Sequence, residues 1–106
     1  MRCLGMLLLA VFLSALSAGA ETTPLKLVTG SDYAPYVDDG LPGGGPVTQL
    51  VRQAFAAVGV DADISVEPWR RGYEGLLAHR FDATFPYIRT EQRQRETLFS
   101  DPIIAV

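Results

Sequence analysis

Cysteine is almost missing from these 106 residues, with Cys3 the single example. An intrachain disulfide is therefore excluded, and so are the paired-cysteine metal and redox sites. Histidine is equally scarce: His79 stands alone, at the end of a predicted helix, where capping is its expected role. With one histidine and one cysteine no zinc site is expected, and no metal or other cofactor is called for. Basic charge is also short, nine Lys and Arg against twelve Asp and Glu. A chain of that balance lacks the basic stripe of a nucleic-acid binder. The glycine-rich run Gly40–Pro46 is not followed by Gly-Lys-Ser/Thr and does not open a helix with dinucleotide spacing, so it is not a phosphate loop. Ser31, Ser65 and Ser100 have no nucleophile signature around them. Paired carboxylates for acid–base work are a matter of space rather than spacing, and no spacing recommends them.

Long hydrophobic runs are limited to one. Arg2 is followed by an apolar block from Leu4 to Leu16 and then by Ser17-Ala18-Gly19-Ala20. A positive start, a short apolar block and small residues at the end describe a secretory signal peptide. Spanning a bilayer takes about 20 apolar residues, so the block is expected to be removed rather than to anchor the chain. Residues 1–20 form the expected signal, with cleavage after Ala20 and Glu21 as the new N-terminus. Cys3 leaves with it, and the exported product has no stable membrane insertion. Eight basic residues then face twelve acids.

What remains alternates between strand and helix. Leu25-Lys26-Leu27-Val28-Thr29 reads as a strand ended by Gly30. The loop from Ser31 to Pro46 is rich in proline and glycine, and its length is typical of binding loops. A helix starts at Pro46 or Thr48, with Leu50, Val51, Ala54, Phe55 and Val58 as its apolar stripe and Gly59 as its left-handed cap. Ala62–Val66 is the second strand, and Trp69–His79 a second helix burying Tyr73, Leu76 and Leu77. Phe81–Phe85 is the third strand, stopped by Pro86. Thr90 caps a helical turn to Arg95, and Leu98-Phe99 and Ile103–Val106 read as extended apolar segments. The order β-α-β-α-β predicts a mainly parallel sheet with helices on both faces. Because Ile103–Val106 reads as a buried strand with no polar tail, the chain is expected to be a truncated piece of a larger unit.

Three segments carry a family resemblance: Ser31-Asp32-Tyr33-Ala34-Pro35-Tyr36 after the first strand; Phe81-Asp82-Ala83 after the second helix; and Thr90-Glu91-Gln92-Arg93 followed by Phe99-Ser100-Asp101-Pro102. In this order the chain from Leu25 onward resembles the N-terminal part of family 3 extracellular solute-binding proteins, the periplasmic receptors that serve ABC transporters. The resemblance implies an α/β fold of the type II periplasmic-binding-protein kind, here an incomplete first lobe over residues 21–106. It implies hinge closure on a ligand, held beyond the carboxyl ends of parallel strands. A second lobe, with the acidic group for an amino ligand, would follow residue 106.

Site residues follow from the resemblance position by position. Tyr33 matches the aromatic that stacks on the ligand, and Trp69 matches the residue on the ligand's other side. Arg93 matches the arginine that holds the ligand carboxylate, where a guanidinium offers paired donors. The segment Phe85-Pro86-Tyr87-Ile88-Arg89 departs from the family's serine and threonine groups: Pro86 has no N–H to donate, and Tyr87 supplies the one hydroxyl. His79 stands where a helix-ending glycine is common.

Each of these residues has a structural alternative: Tyr33 as loop cover, Trp69 as core, and Arg93 paired with Glu96 or Asp101 on the surface. Arg70, Arg71, Arg95 and Glu96 are read as solvated face, Asp82 as structural, and Arg89 as facing either the cleft or its neighbours. The expected function is periplasmic binding of a small carboxylate-bearing solute, an amino acid or similar, for uptake through an ABC-transporter permease, without catalysis. Two other classes share the fold: periplasmic enzymes (dehydratases, or domains accompanying lytic enzymes) and ligand-sensing domains of receptor kinases.

Overall fold

The computed structural model describes residues 23–105, so the expected signal peptide and its cleavage point lie outside the described residues. Three parallel strands form the sheet: β1 (Leu25–Thr29), β2 (Ala62–Val66) and β3 (Ala83–Thr84), in the order β2-β1-β3. Leu25 to Thr29 run in register with Ala62 to Val66, while β3 pairs only through Leu27↔Ala83 and Val28↔Thr84. Helices α1 (Pro46–Ala57), α2 (Trp69–Leu77) and α3 (Glu91–Glu96) complete the framework, with a 3₁₀ turn at Pro42–Gly44. The chain is thus a small α/β unit with an open, all-parallel sheet.

Neighbouring residues of a strand point to opposite faces, and β1 uses both. Leu27 joins Val37, Val47, Val51 and Phe85 in the buried core on the α1 side. Val28, fully buried, meets α2 on the other face at Gly72. The expected placement of helices on both faces is found.

The stripe on α1 is rotated from the expected one. Val47, Thr48 and Val51 are buried and Phe55 half-buried, while Ala54 is exposed, Leu50 is 41 % exposed and Val58 71 %. The rotation originates at the helix start. Val47 N–H donates to the Tyr36 carbonyl at 3.1 Å, and Gly45 (φ 98°) presses against the same carbonyl, where a Cβ would stand 2.6 Å from the oxygen. That docking directs residue 47 inward and turns residue 50 out. The Ser31–Pro46 loop is also more built than a plain loop, since Tyr33 and Val37 form an antiparallel bridge.

On α2 the buried residues are Gly72 and Gly75, not the expected trio. Tyr73 and Leu76 are half-buried and Leu77 is 42 % exposed. Two glycines let the helix backbone come close to Val28 and the Phe81 ring, and the side chains that would otherwise have been core are pushed outward. The helix stops at Leu77, two residues early. His79 N–H donates to Leu76 O at 3.1 Å and Arg80 N–H to Gly75 O at 2.8 Å, the paired bonds of a Schellman end with His79 at its left-handed position, φ 61°. Gly59 fills the same position after α1 at φ 73°. A non-glycine residue is strained there, so His79→Gly is expected to raise stability by about 0.5–1 kcal/mol. An unchanged or lowered urea midpoint would show that the turn carries no strain.

Strand β3 spans two residues rather than Phe81–Phe85. Side chains supplement the main-chain bonding at both ends. Lys26 N–H donates to Asp82 Oδ2 at 2.8 Å, and Asp82 N–H donates to Lys26 O at 2.7 Å. Thr29 Oγ1 donates to Phe85 O and Thr84 Oγ1 to Val28 O, both at 2.7 Å. Asp82 therefore has the structural role read from the sequence. Leu98-Phe99 and residues 103–105 form no strand: Leu98 is fully exposed, and Ile104 is half-buried against the core.

Candidate ligand-binding site

The carboxyl ends of the three strands lead directly into the aromatic residues of the chain. After β1 come Gly30, Ser31 and Tyr33; after β2, Pro68 and Trp69; after β3, Phe85, Pro86 and Tyr87. In open parallel sheets this is the edge where ligands are held. A broad groove of about 960 Å³ runs from this edge along β3 to Phe81 and His79, with residues 97–104 also lining it, and Tyr33, Trp69, Tyr87 and Arg93 are among its lining residues.

Trp69 is the centre of the arrangement. It is the first residue of α2, and its Nε1–H donates to the Ser31 carbonyl at 2.7 Å. The indole lies over Gly30, where any Cβ would overlap its ring carbons. Tyr33 stands edge-on to it at 6.2 Å between ring centroids, and Tyr87 does the same at 5.9 Å, each at 83°. Tyr36 extends the row beyond Tyr33 at 5.4 Å, and Tyr73 beyond Tyr87 at 5.5 Å. Such contacts add about 0.5–1.5 kcal/mol each beyond area burial, so the row is a stiff wall. Tyr87 is held further by its hydroxyl, 3.4 Å from the Trp69 carbonyl, and burial raises its pKa above the usual phenol value.

Arg93 reaches the same wall from α3. Thr90 caps that helix as expected, its Oγ1 accepting from Arg93 N–H at 3.2 Å. The Arg93 guanidinium lies 5.0 Å over the Tyr87 ring and donates Nη1 to the Ile88 carbonyl at 2.7 Å. The surface pairing with Glu96 or Asp101 is not formed: among the described residues the one ion pair joins Arg70 to Glu74 at 3.1 Å. Arg89 lines the cleft but is engaged with its neighbours, donating to Ser100 O at 3.2 Å over the Phe99 ring.

One contact of the site was missed from the sequence, between Tyr73, which is half-buried rather than core, and Glu96, which is exposed as read. The two meet across 23 positions: the Tyr73 hydroxyl donates to Glu96 Oε2 at 2.6 Å. The signal was present in the spacing, since Tyr73 follows Trp69 by four residues and Glu96 follows Arg93 by three, each pair sharing a helix face. The shared proton raises the Tyr73 pKa above its usual value and lowers that of Glu96 below the usual carboxylate value. This bond's contribution is lost as pH falls through the lowered Glu96 value, and again as pH rises through the raised Tyr73 value. On the loop side, the Ser31 hydroxyl donates to Asp39 Oδ1 at 2.7 Å and lowers that carboxyl's pKa.

Among the described residues no three His, Cys, Asp or Glu side chains gather as metal ligands, and no helix is long and apolar enough to cross a membrane. Comparison with protein-family profiles, with characterised proteins and with solved structures found no match for the chain.

Proposed function

We propose that the chain is a lobe of a periplasmic solute receptor of the type II binding-protein kind, binding a small carboxylate-bearing solute for uptake through an ABC-transporter permease. The role is capture without chemical change of the solute. One observation carries the reading: an arginine with no carboxylate partner among the described residues stands beside an aromatic wall at the carboxyl ends of parallel strands. The wall offers flat apolar surface to the body of a solute, and the guanidinium offers paired donors to its carboxylate. The three residues that the resemblance would place on the ligand, Tyr33, Trp69 and Arg93, line that cleft together with Tyr87.

Trp69 is the only tryptophan of the chain, so its fluorescence reports on this cleft alone. Titration with 3-phenylpropionate is expected to change the emission, and its neutral amide to bind about tenfold or more weakly, the worth of a hydrogen bond to a charged group. Equal response to acid and amide would remove the carboxylate from the proposal.

A further inference from the structure

Arg93 and Glu96 sit three residues apart on α3, the spacing at which an arginine and a glutamate on one helix meet. They do not pair. Both oxygens of Glu96 are taken from elsewhere: Oε2 by the Tyr73 hydroxyl at 2.6 Å and Oε1 by Gln92 Nε2 at 3.3 Å. The bond from Tyr73 is charge-assisted and short, the stronger kind, and it comes from a different helix. Arg93 is left to the Tyr87 ring and the Ile88 carbonyl, neither of which neutralises it.

We propose that Tyr73 is a positioning residue that draws Glu96 away from Arg93 and so keeps the guanidinium open to an external carboxylate. The inference rests on the reading of Arg93 as the carboxylate clasp. A glutamate free to rotate beside an arginine is an internal competitor for the same donors. Exposed pairs of this kind are worth about 0–1 kcal/mol, enough to weaken a ligand severalfold. Tyr73 removes the competitor with a hydroxyl, which adds no charge of its own. The other charged groups near the pair are Arg95 on α3 and Arg70 on α2; Arg95 lowers the Glu96 pKa, and Arg70 is turned to Glu74.

The test is a double-mutant cycle read by Trp69 fluorescence with 3-phenylpropionate as probe. Tyr73→Phe keeps the ring and its packing on Tyr87 while releasing Glu96, and is expected to weaken the probe about three- to fivefold. Adding Glu96→Gln to that variant is expected to restore the original affinity, because the released competitor no longer carries charge. A purely structural role for the hydroxyl predicts no rescue. Unchanged binding in Tyr73→Phe, or a double variant as weak as the single one, overturns the inference. Arg93→Gln separates the two levels. If that substitution leaves probe binding intact, the clasp itself is wrong and this inference falls with it. If Arg93→Gln weakens the probe but Tyr73→Phe does not, only the role of Tyr73 falls. No response of the native protein to the probe overturns both.

Discussion

Replacing Arg93 with alanine is expected to cost carboxylate binding about 1.5–3 kcal/mol, a loss of about ten- to hundredfold. The fold should be nearly unaffected. The bond that starts α3 comes from the Arg93 backbone N–H to Thr90 Oγ1, and Thr97 Oγ1 closes the helix on the Arg93 carbonyl at 2.8 Å. Neither needs the side chain, and alanine is the better helix former. What disappears is the guanidinium over Tyr87. Arg93→Lys is the instructive intermediate. An ammonium keeps the charge but is a point donor without the planar fork, so it cannot lie on the Tyr87 ring, donate to Ile88 O and still present two parallel donors. Its affinity should fall between those of the native protein and the alanine variant. Calorimetry or Trp69 fluorescence with 3-phenylpropionate decides, and equal affinity in native and alanine proteins would end the assignment of Arg93.

The sequence and the structure agree most closely where local chemistry decides. Thr90 as a cap, Gly59 as a left-handed helix end and the Leu25–Thr29 strand each depend on a few adjacent residues, and each is found where expected. Agreement ends where contacts between distant segments take over. Leu50, Ala54 and Val58 share a helix face and look like core, yet the bond from Val47 to Tyr36 sets the rotation of α1 and leaves them outside. Leu77 looks buried by spacing, but Gly72 carries the contact with Val28 of the sheet and Gly75 that with the Phe81 ring, because a backbone can approach where a side chain cannot. The same limit applies in the cleft. The order of strands and loops brings Tyr33, Trp69, Tyr87 and Arg93 to one edge, which the alternation of elements already implied. Spacing set Tyr73 beside Trp69 and Glu96 beside Arg93, but no local signal paired these two with each other across 23 positions.

Gly30→Ala is expected to be the most damaging small substitution in the cleft. A Cβ at this position would overlap Cδ2 and Cε2 of the Trp69 indole and stand 2.7 Å from Cε3. The ring must therefore move, and it is not free to do so. Its Nε1–H is bonded to the Ser31 carbonyl one residue on, and Tyr33 and Tyr87 stand against it on either side. Overpacking of a fitted contact costs about 1–3 kcal/mol, and the displaced indole gives up a hydrogen bond worth about 0.5–1.5 kcal/mol more. Two measurements follow the change: the unfolding midpoint should drop, and the Trp69 emission should shift to the red as the ring moves toward water. Stability and binding should fall together, since the same ring serves both. The cause can be isolated with Trp69→Ala. In that background the space above Gly30 is empty, so Gly30→Ala should cost almost nothing, and the coupling between the two sites should recover most of the single-variant loss. A large cost for Gly30→Ala even without the indole would mean that backbone conformation, rather than the fit of Trp69 over Gly30, requires the glycine.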